Sequence, residues 1–251
     1  PRHDRAHSRA LFERTGMRAV CSLGLPEACW PSRSPEAGVH FLKEAIDTAA
    51  EMGAEALTGV IYGGIGERTG KPPTECELDN VARCLGAAAT HAKARGILLG
   101  IEPVNRYETH LLNTGWQARA MIERVGAENL FIHLDTYHMH IEEADIEAAI
   151  IQTGPLLGYF HIGESNRGYL GAGSIDFDRI FRGLAKAEYR GPITFESFSS
   201  AVVNQPLSGI LAIWRNLWTD GKDLAGHAKV FMEGHLKAAQ EAHARSRIGL
   251  Q

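Results

Sequence analysis

The 251-residue sequence lacks three features that mark large classes of protein. No apolar run reaches the roughly 18 residues of a membrane-spanning helix, and no secretion signal opens the chain. There is no excess of positive charge, since the formal net charge is −4, which disfavours a surface for nucleic acid. The few cysteines lack the close spacing of a metal site. These absences favour a cytoplasmic protein with reduced, structural thiols and with neither a membrane nor a nucleic-acid partner.

The sequence is rich instead in hydrophobic residues, 44% of the chain, and in glycine, with 27 residues. Short apolar runs alternate with longer amphipathic ones, an order typical of a parallel sheet covered by helices. The predicted strands are 17–23, 54–61, 97–102, 130–135, 157–161 and 192–196. The predicted helices are 2–14, 35–52, 74–95, 114–125, 142–153, 177–187 and a long region after Leu207. Left-handed glycines are expected before strands at Gly16, Gly53, Gly96, Gly126 and Gly191.

The repeated strand–helix unit predicts an α/β fold of the (β/α)8 TIM barrel type. A complete barrel has eight strands and six are predicted, so the one or two N-terminal strands are expected to be lacking. With no linker or low-complexity tract, residues 1–251 are interpreted as a single barrel domain with a C-terminal helical extension. The glycine-rich stretches 63–66 and 171–173 are interpreted as flexible loops, and the aromatic segment 213–218 as core packing of a terminal helix.

Four predicted strands end in a side chain that can bind a metal ion: Glu102, Asp135, His161 and Glu196. The carboxyl ends of barrel strands emerge on one rim, where active sites lie, so we expect the four to converge. Three carboxylates brought this close repel one another strongly unless a cation lies between them. The oxygen and nitrogen ligands favour Mn, Mg or Co over a structural zinc ion. The alternative is that each strand simply ends in a residue that reaches solvent.

Three further residues, Glu108, His138 and Arg167, follow these strand ends on loops and are candidates for substrate contact. Their alternatives are a solvated carboxylate, a solvated loop histidine and an arginine that pairs with Glu164. His133 points to the same side of its strand as the neighbouring aspartate, one layer lower. It is therefore expected to be a hydrogen-bonded core residue rather than a ligand.

Four segments of the chain resemble the ketose 3-epimerases, the D-tagatose 3-epimerase group with its D-allulose and L-ribulose members, in the xylose-isomerase-like barrel superfamily. They are GIEPVNRYET at 100–109, HLDTYHMHIEE at 133–143, HIGESNR at 161–167 and ITFESF at 193–198. The resemblance implies a metal, Mn²⁺ first with Mg²⁺ or Co²⁺ as alternatives, bound by Glu102, Asp135, His161 and Glu196. It also implies ketose contacts from Glu108, His138 and Arg167, and a homodimer or homotetramer.

The expected reaction is the metal-dependent epimerisation of a free ketose at carbon 3, of the D-fructose/D-allulose, D-tagatose/D-sorbose or L-ribulose/L-xylulose type. Glu102 and Glu196 are the candidate catalytic pair: one removes the proton and the other returns it on the opposite face of an enediolate. Three alternatives remain: a hydroxypyruvate-type aldose-ketose isomerase, a metal-dependent nuclease, and a non-catalytic, truncated protein that binds metal and sugar. The net charge of −4 disfavours the nuclease.

Overall fold

The structure is a computed structural model of the chain and describes residues 4–248. Its residues group into two compact units. The first runs to Asn113 and adds Gln117–His133, and the second holds Thr114–Trp116 and the chain from Leu134 onward. Within the described residues, no helix is long and apolar enough to cross a membrane.

The first unit is built on parallel strands: β1 (Val20–Gly24), β2 (Ala56–Val60), β3 (Leu98–Ile101) and the first part of β4 (Leu130–Asp135). They pair in chain order, with Val20 opposite Ala56, Ala56 opposite Leu98 and Leu99 opposite Leu130. All five residues of β2 are buried, as expected for a strand covered on both faces. The apolar runs of the sequence therefore form the interior of this unit.

Four helices accompany these strands: α1 (Arg5–Thr15), α2 (Pro35–Glu51), α3 (Glu75–Arg95) and α4 (Gly115–Val125). Thr74 begins α3 with a capping box, because its hydroxyl accepts the Glu77 amide while the Glu77 carboxylate accepts the Thr74 amide. Gly96 ends the same helix in the left-handed conformation. Helices α2 and α3 pack together through fully buried residues such as Leu42, Ile46 and Leu85.

The second unit contains two paired parallel strands, β5 (Leu157–Ile162) and β6 (Ile193–Phe195), with Phe160 opposite Ile193. Its helices are α5 (Thr136–Glu142), α6 (Ile146–Thr153), α7 (Phe177–Lys186), α8 (Leu207–Ile210) and α9 (Gly221–Ile248). Helix α7 packs against both α6 and α9. Its buried face, which includes Phe177, Ile180, Phe181 and Leu184, supplies much of the apolar interior of the unit.

All six predicted strands are confirmed, with ends displaced by at most three residues. Two predictions are wrong: the segment of α5 was expected to be a loop, and the segment 213–218, expected to pack in the core as part of a terminal helix, is not helical and leaves Trp214 exposed. The first predicted helix begins at Arg5, while Arg2 and His3 lie outside the described residues. Four of the five expected left-handed glycines are confirmed. After α7 the positive φ falls on Glu188 instead of Gly191.

Candidate functional site

Asp135, His161 and Glu196 form a compact triad of potential metal ligands in the second unit. Asp135 is the last residue of β4, His161 the penultimate residue of β5, and Glu196 directly follows β6. One ligand atom from each lies within 4.8 Å of the others. The Asp135 side chain is fully buried and that of Glu196 is 28% exposed. The triad is therefore reached from the side of Glu196.

Local hydrogen bonds hold Asp135 in its orientation. Its Oδ1 accepts the Tyr137 amide at 2.8 Å, which makes Asp135 the N-cap of α5. The next residue, Thr136, donates to the Gly163 carbonyl at 2.7 Å and accepts the Gly163 amide at 2.9 Å. This reciprocal pair connects the end of β4 with the residue that follows β5, so the aspartate and His161 share one edge of the unit.

The Arg167 guanidinium pairs with both carboxylates of the triad. Its Nη1 lies 3.0 Å from Asp135 Oδ2 and 2.7 Å from Glu196 Oε2. The predicted alternative, a pair with the side chain of Glu164, is not what forms. A Cβ on Gly163 would lie only 3.0 Å from this Nη1, so the glycine leaves the space that the guanidinium needs.

Burial and charge together set the protonation of the triad. Burial, the largest single effect, would raise the pKa of Asp135. Arg167 opposes it most strongly, and together with His138, His161 and the Tyr137 amide it holds that pKa well below its ordinary value. Burial lowers the pKa of His161, although Asp135 opposes the shift. The triad at neutral pH is thus an ionised aspartate beside a neutral imidazole, which is the form that binds metal.

His138 lies on helix α5 rather than on the predicted loop. The helix begins directly after β4, so no turn residue in the sequence indicates that a helix starts there. The side chain is buried, with Nε2 3.9 Å from Asp135 Oδ2 and the ring edge-on to Tyr137. Burial lowers the pKa of His138 to about 3, so the ring is neutral at physiological pH.

Glu102 lies in the first unit, directly after β3, and is buried. Its backbone is held on both sides, since its amide donates to the Gly59 carbonyl at 3.0 Å and its carbonyl accepts the Tyr62 hydroxyl at 2.9 Å. Its Oε2 is 3.5 Å from Nδ1 of His133, and that nitrogen is 3.0 Å from the Thr58 hydroxyl. His133 is therefore the hydrogen-bonded core residue that the sequence predicted.

Glu108 lies in the connection between β3 and α4, half-buried. Its Oε1 accepts the amide group of the Asn105 side chain at 2.9 Å, and its backbone N–H donates to the Asn105 carbonyl at 2.9 Å. The Asn105 Oδ1 accepts the Tyr107 amide, which completes a compact turn. The carboxylate is thus fixed relative to the end of β3, as a substrate contact requires.

The residues of the triad fit a divalent metal ion by their chemistry. Two carboxylates and an imidazole are the oxygen and nitrogen donors that Mn²⁺, Mg²⁺ and Co²⁺ accept, and the set contains no thiolate. The three come from separate strand ends that the fold brings together. A cation held here would neutralise the negative charge of the two carboxylates, both of which pair with Arg167.

Sequence reasoning missed two features that shape the loops around these residues. Glu67 and Glu164 are fully buried carboxylates whose oxygens accept backbone N–H groups. Glu164 accepts the amides of Ser165, Gly171 and Ile175 at 2.8, 2.9 and 3.3 Å. The signal was present, since each glutamate lies near one of the glycine-rich stretches. Each stretch therefore donates at least one backbone N–H to a buried carboxylate, while its flexibility stays a prediction.

Comparison with known proteins places these residues in a family context. The family model described as "Xylose isomerase-like TIM barrel" matches residues 2–220. A ketose 3-epimerase of Arthrobacter globiformis is 48% identical over 89% of this chain and 78% of its own length. An L-ribulose 3-epimerase of Methylomonas sp. strain DH-1 is 43% identical over 92% of this chain and 82% of its own.

This chain also resembles a solved structure of a ketose epimerase. The D-allulose 3-epimerase of Methylomonas sp., crystallised in complex with D-allulose, matches with a TM-score of 0.88 and 42% identity. The match covers 92% of this chain and 82% of the crystallised one. The barrel fold predicted from the alternation of strands and helices is therefore confirmed.

Proposed function

The chain belongs to the xylose isomerase-like TIM barrel family and, within it, to the ketose 3-epimerases, and from that premise we propose that it epimerises a free ketose at carbon 3 with the help of a bound divalent metal ion. The observation that carries the proposal is the Asp135, His161 and Glu196 triad, whose ligand atoms lie within 4.8 Å of one another. The protein is accordingly an isomerase.

The proposed metal ligands are Glu102, Asp135, His161 and Glu196, with Mn²⁺ as the first choice and Mg²⁺ or Co²⁺ as alternatives. Three of them form the triad, and Glu102 is added on the basis of sequence. It ends a barrel strand, as the other three do, and the carboxyl ends of barrel strands share one rim. It also lies in a segment, 100–109, that resembles the ketose 3-epimerases.

Glu102 and Glu196 are the proposed catalytic pair. One glutamate removes the proton from carbon 3, and the other returns a proton to the opposite face of the resulting enediolate. Each takes either role, depending on which epimer is bound. A divalent ion, when bound, supplies Lewis-acid polarisation of the ketose carbonyl. Its positive charge would also stabilise the ionised form of both carboxylates, which keeps them available as bases.

Glu108, His138 and Arg167 are the proposed sugar contacts. The neutral His138 ring can donate or accept a hydrogen bond, and the Arg167 guanidinium donates to oxygens on which negative charge develops. The stacking of this guanidinium over Tyr137, at 3.9 Å from the ring centroid, limits the directions in which it can donate. Candidate substrates are D-fructose, D-tagatose, L-ribulose and their 3-epimers, in keeping with the L-ribulose and D-allulose named for the relatives.

One incubation tests the proposal. Metal-free protein and protein loaded with Mn²⁺ are each given D-fructose, D-tagatose or L-ribulose in heavy water, and the product and the position of the deuterium are read. We expect the 3-epimer of at least one ketose, with deuterium at carbon 3, from the loaded protein alone. An aldose product with exchange at carbon 1 or 2 would establish the aldose-ketose isomerase instead. Thermal stabilisation by sugar without turnover would identify a binding protein.

A further inference from the structure

Arg167 has an unusual backbone conformation for a residue with a side chain. Its φ is 61°, in the left-handed region that glycine adopts without steric cost and other residues rarely visit. Such a conformation persists only where the surrounding structure holds it, and it is often found at functional sites. The direction of the Arg167 side chain therefore depends on contacts that hold its peptide groups.

Contacts on both sides hold the Arg167 backbone. Its N–H donates to the Glu164 carbonyl at 2.9 Å. Its carbonyl oxygen accepts two bonds from the chain after β6, one from the Ser197 hydroxyl and one from the Phe198 amide at 3.2 Å. The side chain is held as well. The guanidinium carbon lies 5.2 Å from the centroid of the Phe198 ring and also stacks over the Tyr137 ring.

The Ser197 hydroxyl is itself oriented by a third segment. The indole Nε1 of Trp218 donates to Ser197 Oγ at 2.7 Å. Because the indole can only donate, the serine oxygen is the acceptor in this bond, and its own proton is directed to the Arg167 carbonyl. Trp218 is in turn fixed by its carbonyl, which accepts the hydroxyl of the buried Ser199 at 2.8 Å.

We propose that Trp218, acting through Ser197, is a positioning residue that holds Arg167 in its left-handed conformation and so aims the guanidinium at the sugar. The inference rests on the proposed function, in which Arg167 contacts the ketose. Without the indole N–H, the serine hydroxyl is free to rotate away and the Arg167 peptide can relax. Relaxation would turn the guanidinium away from Asp135 and Glu196, with which it now pairs.

Trp218→Phe and Ser197→Ala test the role, because the first removes the indole donor together with part of the ring and the second removes only the hydroxyl. Losing one hydrogen bond of ordinary net strength corresponds to a change of roughly threefold to tenfold in an equilibrium. We expect KM for the ketose to rise by a factor of that size in both variants, with a smaller change in kcat. Ser197→Thr, which keeps a hydroxyl, should have the same KM as the wild-type protein.

Trp214→Phe is the matched control, since Trp214 belongs to the same segment but is 70% exposed. It should leave KM unchanged. Thermal unfolding of each variant separates positioning from general destabilisation, because a merely structural role would lower the melting temperature without selectively raising KM.

A measurement that needs no turnover separates this proposal from the proposed function. In protein labelled with isotopic arginine, the Arg167 Nε–H resonance, identified by its loss in Arg167→Lys, should be displaced by the ring current of Tyr137. We expect Ser197→Ala and Trp218→Phe to move it toward the position of solvent-exposed arginines, and Trp214→Phe to leave it in place. An unmoved resonance with an unchanged KM overturns the positioning role. A resonance that moves in these two variants, together with a wild-type protein that turns over no ketose, would overturn the proposed function alone.

Discussion

Glu196 differs from the other carboxylate of the triad in its access to solvent and in its partners. Both oxygens of Asp135 already accept hydrogen bonds, one from the Tyr137 amide and one from Arg167. Glu196 Oε2 accepts from Arg167, while Oε1 lies 3.7 Å from His161 Nδ1 and the side chain is 28% exposed. Of the two, Glu196 is therefore the group that a substrate can reach, which is the basis for assigning it proton transfer.

Glu196→Gln tests that assignment. The amide keeps the size of the side chain but cannot accept a proton, so we expect deuterium exchange at carbon 3 of the ketose to fall by roughly 10²- to 10⁴-fold. The measurement is proton NMR of the sugar in heavy water, with the metal content of the variant determined in parallel. Metal content separates loss of the base from loss of a ligand.

Glu188→Gln is the matched control for this substitution. Glu188 is another glutamate of the second unit that pairs with an arginine, Arg247, at 2.5 Å, but it lies outside the triad. Its substitution should leave exchange at the wild-type rate. Near-wild-type exchange in Glu196→Gln itself would assign the proton transfer to Glu102 alone.

Cys84 and Cys76 should differ sharply in reactivity although both are free thiols on the same helix, α3. Cys84 is fully buried, and burial raises the pKa of its thiol to about 12. Since the thiolate is the reactive form, alkylation with iodoacetamide at mildly alkaline pH should modify the exposed Cys76 and spare Cys84. Peptide mass spectrometry of the native protein checks this, and urea should make both react. Equal labelling of the two in native protein would contradict the burial of Cys84.

The residues of the candidate site were predictable where their signal is local. An ionisable residue at the end of an apolar run, as at Asp135 or Glu196, is visible in a few neighbouring positions. The partners of Arg167 were not predictable in this way, because the Ser197 hydroxyl is 30 positions distant and its own donor, Trp218, a further 21. Nothing in either local sequence distinguishes such a bond from a solvated serine or a packed indole.

At the scale of secondary-structure elements, the strands were predictable and the short helix α5 was not. Buried parallel strands are continuous apolar runs, which few other elements imitate. Helix α5 has only seven residues and begins directly after β4, so it shows neither a turn signal nor a full period of amphipathicity. Its N-cap is Asp135, whose side chain thus combines a structural role with its place in the triad. The sequence pattern alone suggests only the second role.

The contact between α6 and α7 offers a test of electrostatics at this scale. Glu147 of α6 accepts from Arg182 and Lys186 of α7, both at 2.8 Å. The hydrogen bond from Arg182, with a smaller contribution from Lys186, lowers the pKa of Glu147 below its ordinary value. Because the folded pKa is lowered, these pairs stabilise the fold at neutral pH, and the stabilisation is lost as the pH falls through that pKa.

Glu147→Gln should therefore destabilise the protein at pH 7 by about 1 kcal/mol or less, the range of partly exposed ion pairs. The difference from wild type should shrink toward zero at acidic pH, where the wild-type carboxylate is also protonated. Urea unfolding across this pH range measures it. Glu128→Gln serves as the control, since that side chain is 90% exposed and should show no such dependence. A difference that persists unchanged at acidic pH would mean that packing, not charge, accounts for the effect.

At the scale of the whole molecule, we propose that residues 1–251 act as a single barrel domain although they group into two compact units. Strand β4 is the reason. Its first residues pair with β3 in the first unit, and the same strand ends in Asp135 of the second unit's triad. Because one strand contributes residues to both units, we expect the two units to unfold together.

Hydrogen exchange with and without Mn²⁺ tests this proposal. A ligand that binds only the folded state at about 100 times its dissociation constant stabilises that state by about 2.7 kcal/mol, which slows exchange through global unfolding about 100-fold. For a single domain, we expect the most protected amides of α2 and α3 to slow by the same factor as those of α7. Asp135→Asn, which weakens the triad, should abolish the slowing throughout. Slowing by Mn²⁺ that is confined to α7 and its neighbours would contradict the single domain. It would also contradict the proposal that Glu102 is a metal ligand, because a metal ion bound by Glu102 should stabilise the first unit as well.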